Sequence, residues 1–294
     1  MYTGWEKQED GTWKYYKTNG ALAVDEAVLV KNKWYLFDEN GIMLTGEQER
    51  NGKSYLLSDS GAMYTGWKKL DDGRWIYYKA DGAMAKDEWV MVKNKWYLFD
   101  AEGIMRTGLL DRYDHTYYFD ESGSMATGWK KLDGVWYYFR PAENDNGPAG
   151  SMVKDSWVLS GNKWYYIGSD GVMVTGTKDI YSANYGKSDE YYFNDSGAMQ
   201  TGWHHVNGNW HFYRTSTSAN GPQGSKAVGC WVPAGSFWYF TDYTDGSMAM
   251  GWQDIEGDRY YFSDDANHYG QMVTGKQVID CKEYTFDDDG ALVK

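Results

Sequence analysis

The chain alternates between short aromatic runs and short polar runs that carry glycine. Runs such as Trp136-Tyr137-Tyr138-Phe139 place four rings in succession, a composition with strong β propensity. In an extended strand the first and third residues share one face, and the second and fourth share the other. The fourth position of successive runs is Tyr16, Phe37, Leu57, Tyr78, Phe99, Phe119, Phe139, Ile167 and Phe193. Apolar residues that interchange this freely mark a core position. The first position is either Trp or frankly polar, as at Ser54, Thr116, Glu190, Arg259 and Glu283. A buried position does not readily accept Glu or Arg. The tryptophans are therefore expected to be partly exposed, dispensable for folding and suited to walling a ligand.

Two turn signals flank each run. The first is Asp-Gly or Asn-Gly, as at Asp133-Gly134 and Asn207-Gly208, which suits a tight hairpin turn. The second is the D-x-x-G of "FDENG", "FDAEG" and "FDESG". Hairpin and connector together make a unit of about 21 residues, repeated about thirteen times. It reads T-G-W-x-x-x-(D/N)-G-x-W-Y-Y-F-x-x-x-G-x-M. One hairpin cannot bury a core in water, whereas a stack of hairpins can, each against its neighbours. The expected fold is all-β with little or no helix: an elongated β-solenoid forming one repeat-array domain over residues 1–294. It would subdivide into regular repeats over 1–126 and loop-bearing repeats over 127–294. The insertions "RPAENDNGPAGSM" (140–152) and "RTSTSANGPQGSK" (214–226), and the long first turn within 177–193, read as tolerated surface excursions before binding loops.

All 16 tryptophans fall on two positions of the unit. Trp5, Trp67, Trp89, Trp129, Trp157, Trp203, Trp231 and Trp252 follow the T-G pair or its equivalent. Trp13, Trp34, Trp75, Trp96, Trp136, Trp164, Trp210 and Trp238 open the aromatic run. Where the first becomes Glu47, Leu109, Thr177 or Lys276, the second becomes Ser54, Thr116, Glu190 or Glu283. Joint loss is what a shared site predicts.

Composition narrows the chemistry. Aromatic residues make up 18% of the chain and the net charge is −13. No basic stripe is available to meet phosphates, which argues against nucleic acid. An acidic surface favours cationic ligands and keeps a ring-rich protein soluble. Cys230 and Cys281 are too few for a disulfide framework. No apolar run reaches membrane-spanning length. The opening "MYTGWEKQED" has no signal-peptide pattern and starts mid-repeat, so the sequence is expected to be a segment of something longer. His204, His205 and His211 replace Lys, Val or Tyr of other repeats and read as drift. "DDDG" (287–290) aligns with "DENG" (38–41) and reads as the second turn, not a calcium loop. No catalytic triad or cofactor site is read, so the chain is expected not to be an enzyme.

The repeat resembles the cell-wall-binding, or choline-binding, repeat family of Gram-positive surface proteins. The matching text is "TGWKKLDGVWYYF" (127–139) and "GAMYTGW" (61–67). The resemblance implies a left-handed solenoid with about three hairpins per turn and ligands held between consecutive hairpins. Two rings of one hairpin and one of the next would cage a quaternary ammonium, with methionine nearby. Carried over, the paired rings are Trp5/Trp13, Trp67/Trp75, Trp89/Trp96, Trp129/Trp136, Trp157/Trp164, Trp203/Trp210 and Trp231/Trp238. Tyr35, Tyr97, Tyr165 and Tyr239 take one candidate position for the third wall, and Tyr118 the alternative. Met84, Met105, Met152, Met173 and Met248 are candidate floors, or connector packing. Related clostridial-toxin and glucan-binding repeats bind carbohydrate instead. The implied role is noncatalytic anchoring of a secreted protein at the cell surface, on choline-decorated teichoic acid, another wall polymer or glucan. A catalytic domain would lie outside this chain. The alternatives are an α-glucan-binding segment of a larger enzyme and a host-glycan receptor domain. With three hairpins per turn, the tryptophan-less third, sixth and ninth repeats would share one edge.

Overall fold

In the computed structural model, which describes residues 1–293, the chain is all-β. Twenty-six strands pair in sequence order as thirteen antiparallel two-stranded hairpins, with no helix among the described residues. Two units are distinguished: residues 1–130 with 139–152, and residues 131–138 with Val153 onward.

Hairpins are numbered here in chain order. In the first unit, Gly4–Lys7 pairs with Trp13–Tyr16, Ala27–Val30 with Lys33–Leu36, and Gly46–Arg50 with Lys53–Leu57. Gly66–Lys69 then pairs with Trp75–Tyr78, Trp89–Val92 with Lys95–Leu98, and Gly108–Arg112 with His115–Phe119. The seventh, Gly128–Leu132 with Val135–Phe139, lies where the units divide. In the second unit the eighth is Ser156–Ser160 with Lys163–Ile167, the ninth Gly176–Ser182 with Lys187–Phe193, and the tenth Gly202–Val206 with Asn209–Tyr213. The eleventh is Trp231–Ala234 with Phe237–Phe240, the twelfth Gly251–Ile255 with Asp258–Phe262, and the last Gly275–Ile279 with Lys282–Phe286.

The expected turns are present. Asp133-Gly134 and Asn207-Gly208 both sit at positive φ, as a tight twisted hairpin turn requires. Lys31-Asn32, Lys93-Asn94 and Tyr113-Asp114 adopt the same left-handed pair without glycine. In the second turn, Asp38 accepts from the backbone N–H groups of Asn40 and Ile42, an Asx turn. Asp287 does the same for Asp289 and Ala291, so "DDDG" is this turn again.

One backbone bond recurs between neighbouring hairpins. Within the first unit the N–H groups of Met43, Met63, Met84 and Met105 donate to the carbonyls of Trp13, Trp34, Ser54 and Trp75, each at 2.8 Å. Within the second, Met199, Lys226, Met248 and Met272 donate in the same way to Trp164, Glu190, Trp210 and Trp238. The connector of each hairpin is thus tied to the second strand of the hairpin before it. The methionine side chain continues forward onto the next glycine. A Cβ on Gly61 would overlap Met43, and one on Gly82 would overlap Met63. The G-x-M phrase is a lock between successive connectors.

The fourth strand position is core, as its interchangeability implied. Phe37, Phe99, Phe119, Ile167, Phe193 and Phe262 are fully buried. The core is segmental. Leu98, Tyr117 and Phe119 cluster with Trp89 and Met125, and Tyr166, Ile180, Tyr191 and Phe193 with Trp157 and Met199. Each cluster draws on neighbouring repeats, as expected of a repeat array.

Candidate ligand sites

Cross-strand register places the two tryptophans of a hairpin on one face. Trp5 lies opposite Tyr15, and Trp13 lies opposite Lys7 beside the turn. The two indoles meet edge to face, with centroids 6.4 Å apart at 88°. The following hairpin brings Tyr35 to 4.8 Å from Trp5 and Phe37 to 5.9 Å. Met43 and the Asp59–Ser60 connector complete a cavity with Trp5, Trp13 and Tyr35. Three rings, a thioether and a nearby carboxylate suit a bulky cation, which is attracted to ring faces.

The geometry repeats. Trp67 meets Trp75 at 6.4 Å and Tyr97 at 4.8 Å. Trp89 meets Trp96 at 6.5 Å and Tyr117 at 5.0 Å. Trp157 meets Trp164 at 6.3 Å and Tyr191 at 5.0 Å. Trp203 meets Tyr239 at 5.5 Å, and Trp231 meets Tyr260 at 5.0 Å. Trp210 and Trp238 are the second residues of the second strands of those hairpins. Trp129 and Trp136 sit on the strands of the seventh hairpin, and Tyr165 on the second strand of the eighth.

Several residue expectations change. The ring beside Trp89 is Tyr117, not Tyr118, whose ring lies 6.1 Å from Phe139. Tyr117 shares its strand face with the core residue Phe119, and that face meets the preceding hairpin. Tyr191, Tyr260 and Tyr284 occupy the same position and were not singled out; alternation from the core residue would have found them. Met105, Met173 and Met248 bond to Trp75, Trp136 and Trp210, whereas Met84 and Met152 bond to Ser54 and Thr116. The latter two therefore serve junctions whose preceding hairpin lacks tryptophan. Met43 and Met199, by contrast, line ring cavities.

The two tryptophan positions also differ from each other. Trp13, Trp75, Trp96 and Trp164 are exposed, each near 40%. Trp5, Trp67, Trp89 and Trp157 are half-buried and wedged between hairpins. Only the exposed set fits the expectation of a residue dispensable for folding.

A model of the choline-binding repeat matches residues 27–66, 64–108, 88–127, 107–157 and 126–177, and a cell wall binding repeat model matches 201–216. The chain belongs to the choline-binding repeat family. Among curated relatives, these repeats are 31% identical over 268 residues to glucosyltransferase-S of Streptococcus mutans, and 29% identical over 279 residues to glucosyltransferase-I of Streptococcus downei. The alignments cover 90% and 92% of this chain but span only 17% and 16% of those relatives. In fold, the chain resembles CbpJ of Streptococcus pneumoniae (TM-score 0.56, 24% identity, 91% of this chain and 99% of that one). It also resembles choline binding protein F of the same species (TM-score 0.55, 24% identity, 92% and 98%).

Not every choline-binding repeat here is built alike. In the ninth, Glu190 stands in the tryptophan place and Lys226 in the methionine place. Lys226 Nζ lies 2.9 Å from Glu190, which also accepts from the Tyr213 hydroxyl at 3.0 Å. An ion pair thus replaces the ring and thioether at that junction. In the twelfth, the Arg259 guanidinium lies 5.1 Å from the Trp252 ring centroid, so this repeat carries its own cation. In the second, Ala27 leaves Trp34 without an indole partner on its first strand.

The cross-strand partner of the exposed position changes with a period of three. It is Lys7, Lys69 and His205 in the first, fourth and tenth hairpins. It is Leu29, Met91, Leu159 and Pro233 in the second, fifth, eighth and eleventh. It is Glu49, Asp111, Asp179 and Asp254 in the third, sixth, ninth and twelfth. Val278 in the last departs from the series.

Burial raises the pKa of two tyrosines in particular, Tyr191 of a ring site and Tyr213 of the core position. Desolvation, with Asp189 adding to it, pushes Tyr191 up to about 12. Burial first and Glu190 second raise Tyr213 further. A raised phenol favours the neutral form in the fold. Its contribution to stability is complete below the unfolded value of about 10 and is lost as pH rises through the folded value. Tyrosine absorbance at 295 nm is therefore expected to show a late-ionising class, titrating above about pH 10 together with loss of the β signal in circular dichroism. A single early transition with intact structure would contradict this burial.

Proposed function

We propose that this chain is a noncatalytic binding module that holds a longer secreted protein at a Gram-positive cell surface. The observation that carries the reading is the recurring site of one wedged indole, one exposed indole and a tyrosine from the next hairpin. Such sites take a choline-type ammonium by cation–π attraction, or the C–H face of a sugar ring. Trp5/Trp13 with Tyr35, and Trp67/Trp75 with Tyr97, are the most regular. The partner is choline-decorated teichoic acid, another wall polymer or a glucan. Because the relatives include glucosyltransferases of much greater length, an α-glucan-binding segment of a larger enzyme is the second reading.

The hairpins are proposed to stack as a left-handed β-solenoid with three per turn, as the family resemblance implies. The three-hairpin cycle of cationic, apolar and acidic cross-strand partners supports that count. Within each unit it pairs acidic hairpins three apart, the third with the sixth and the ninth with the twelfth, which the tryptophans alone set apart.

Linked weak sites on a repetitive polymer gain avidity without new contacts. Retention of the full chain on a choline column and in an α-glucan pull-down separates the two readings. Trp75→Ala is expected to lower retention on the preferred matrix by about two- to fivefold, since one linked site of several is lost. Unchanged retention on both matrices would remove the ring sites from the account.

A further inference from the structure

We propose that the ring site of the eighth hairpin is rebuilt as a groove for a neutral oligosaccharide, a proposal that rests on the ring sites being ligand sites. The first hairpin supplies the comparison. Its cavity, of about 330 Å³, is closed by Trp5, Trp13, Tyr35, Met43, Asp59 and Ser60. The eighth hairpin supplies the same ring and thioether set in Trp157, Trp164, Tyr191 and Met199, yet its cavity is about 580 Å³.

Two insertions make the difference. The lengthened ninth hairpin contributes Tyr181 and Ser182 from the end of its first strand and Asn184 from its turn, and the 214–226 loop contributes Thr217, Pro222 and Gln223. The insertions are fastened to each other, since the Tyr185 hydroxyl donates to the Ser218 carbonyl at 3.1 Å. The 214–226 loop is braced internally as well. The Gln223 backbone N–H donates to Thr217 Oγ1, and its side-chain amide nitrogen donates to the Thr215 carbonyl, both at 3.0 Å. That second bond orients the Gln223 amide. Among the described residues, neither the Gln223 amide oxygen nor the Asn184 side chain has a hydrogen-bond partner in the protein.

The chemistry of the wall has changed along with its size. No carboxylate lines this groove, where Asp59 lines the first cavity. A quaternary ammonium makes no use of amide and hydroxyl groups, and it loses the attraction of a nearby negative charge. A sugar uses both features: its C–H face lies on an indole, and its hydroxyls pair with amides and hydroxyls that fix orientation. The added volume suits more than one sugar ring of a chain.

The test uses the full chain labelled with 5-fluorotryptophan. The Trp164 and Trp13 resonances are identified by their loss in Trp164→Phe and Trp13→Phe. The chain is titrated separately with an α-1,6-linked glucose trisaccharide, with the N-acetylglucosamine trisaccharide and with choline chloride. One trisaccharide is expected to move Trp164 at a midpoint about tenfold below that for Trp13, and choline to show the opposite order. The trisaccharide that does so identifies glucan or wall glycan as the source. Asn184→Ala with Gln223→Ala should raise the trisaccharide midpoint at Trp164 about tenfold, the cost of lost hydrogen bonds, and leave choline at Trp13 unchanged. Choline moving both resonances equally, with neither trisaccharide preferring Trp164, overturns this proposal and leaves the ring sites standing. So does a trisaccharide midpoint indifferent to the double substitution. If no probe moves either resonance, the ring-site reading falls and this proposal falls with it.

Discussion

Gly82→Ala is expected to destabilise its part of the array by about 3 kcal/mol, and Gly73→Ala by only about 1 to 2. Both glycines hold positive φ, +78° and +88°, so both substitutions carry the left-handed backbone penalty of an L-residue. They differ in surroundings. A Cβ on Gly73 meets nothing within 4 Å, whereas one on Gly82 would lie 2.5 Å from Met63 Cγ and overlap the sulfur. Met63 cannot simply withdraw, because its backbone N–H is bonded to the Trp34 carbonyl. The difference between the two variants therefore measures the lock between successive connectors. Repeat arrays lose two-state behaviour readily, so hydrogen exchange of the Met63 and Met84 amides is the measurement of choice, with urea unfolding alongside. Equal losses in the two variants would show that the methionine does not hold the junction.

Trp67→Ala is expected to cost about 3 kcal/mol, and Trp75→Ala less than about 1. Trp67 is half-buried and meets Tyr77 at 4.9 Å, Tyr97 at 4.8 Å and Phe99 at 5.7 Å. Its removal opens a void between two hairpins that rigid strands cannot close. Trp75 is 38% exposed, and against its ring lie the edge of Trp67 and the Lys69 ammonium at 5.9 Å. Thermal unfolding of the two variants, read by far-ultraviolet circular dichroism, gives the comparison. A Trp75→Ala variant as unstable as Trp67→Ala would make both indoles core residues.

Why the two indoles diverge explains what the sequence could and could not disclose. Read along the chain, both recur at fixed positions and both vanish together, so nothing local ranks them. Register ranks them. Trp5 pairs opposite Tyr15 in mid-strand, where the next hairpin covers it, while Trp13 pairs opposite Lys7 at the tip. The core position was legible because Phe37, Ile167 and Leu57 share only apolarity, and a buried site asks for little else. The turn at Asp133-Gly134 was legible because its residues tolerate positive φ at low cost, whereas Tyr113-Asp114 adopts the same turn with no such signal. The third wall was legible in part: Tyr35 and Tyr97 hold the place, two residues before the core position, that Tyr117 also holds. Tyr117 and Tyr118 are neighbours pointing to opposite faces, and which face meets the preceding hairpin is a tertiary fact. The exchange of Trp and Met for Glu190 and Lys226 lies 36 residues apart, outside the span of any single repeat.

The bond from each connector to the hairpin before its own makes the junction, not the hairpin, the repeating unit of this architecture. A duplication or deletion of whole repeats copies or removes complete junctions, so the chain can change its number of sites without inventing new contacts. A change of any other length severs a junction on both sides. The three-repeat cycle of cross-strand partners adds a second rule. On the proposed stack of three hairpins per turn, gain or loss of three repeats keeps every chemical row in phase, while gain or loss of one sets a lysine row against an aliphatic one. Valency and surface pattern are thus set by one integer, the number of repeats, and by its remainder on division by three.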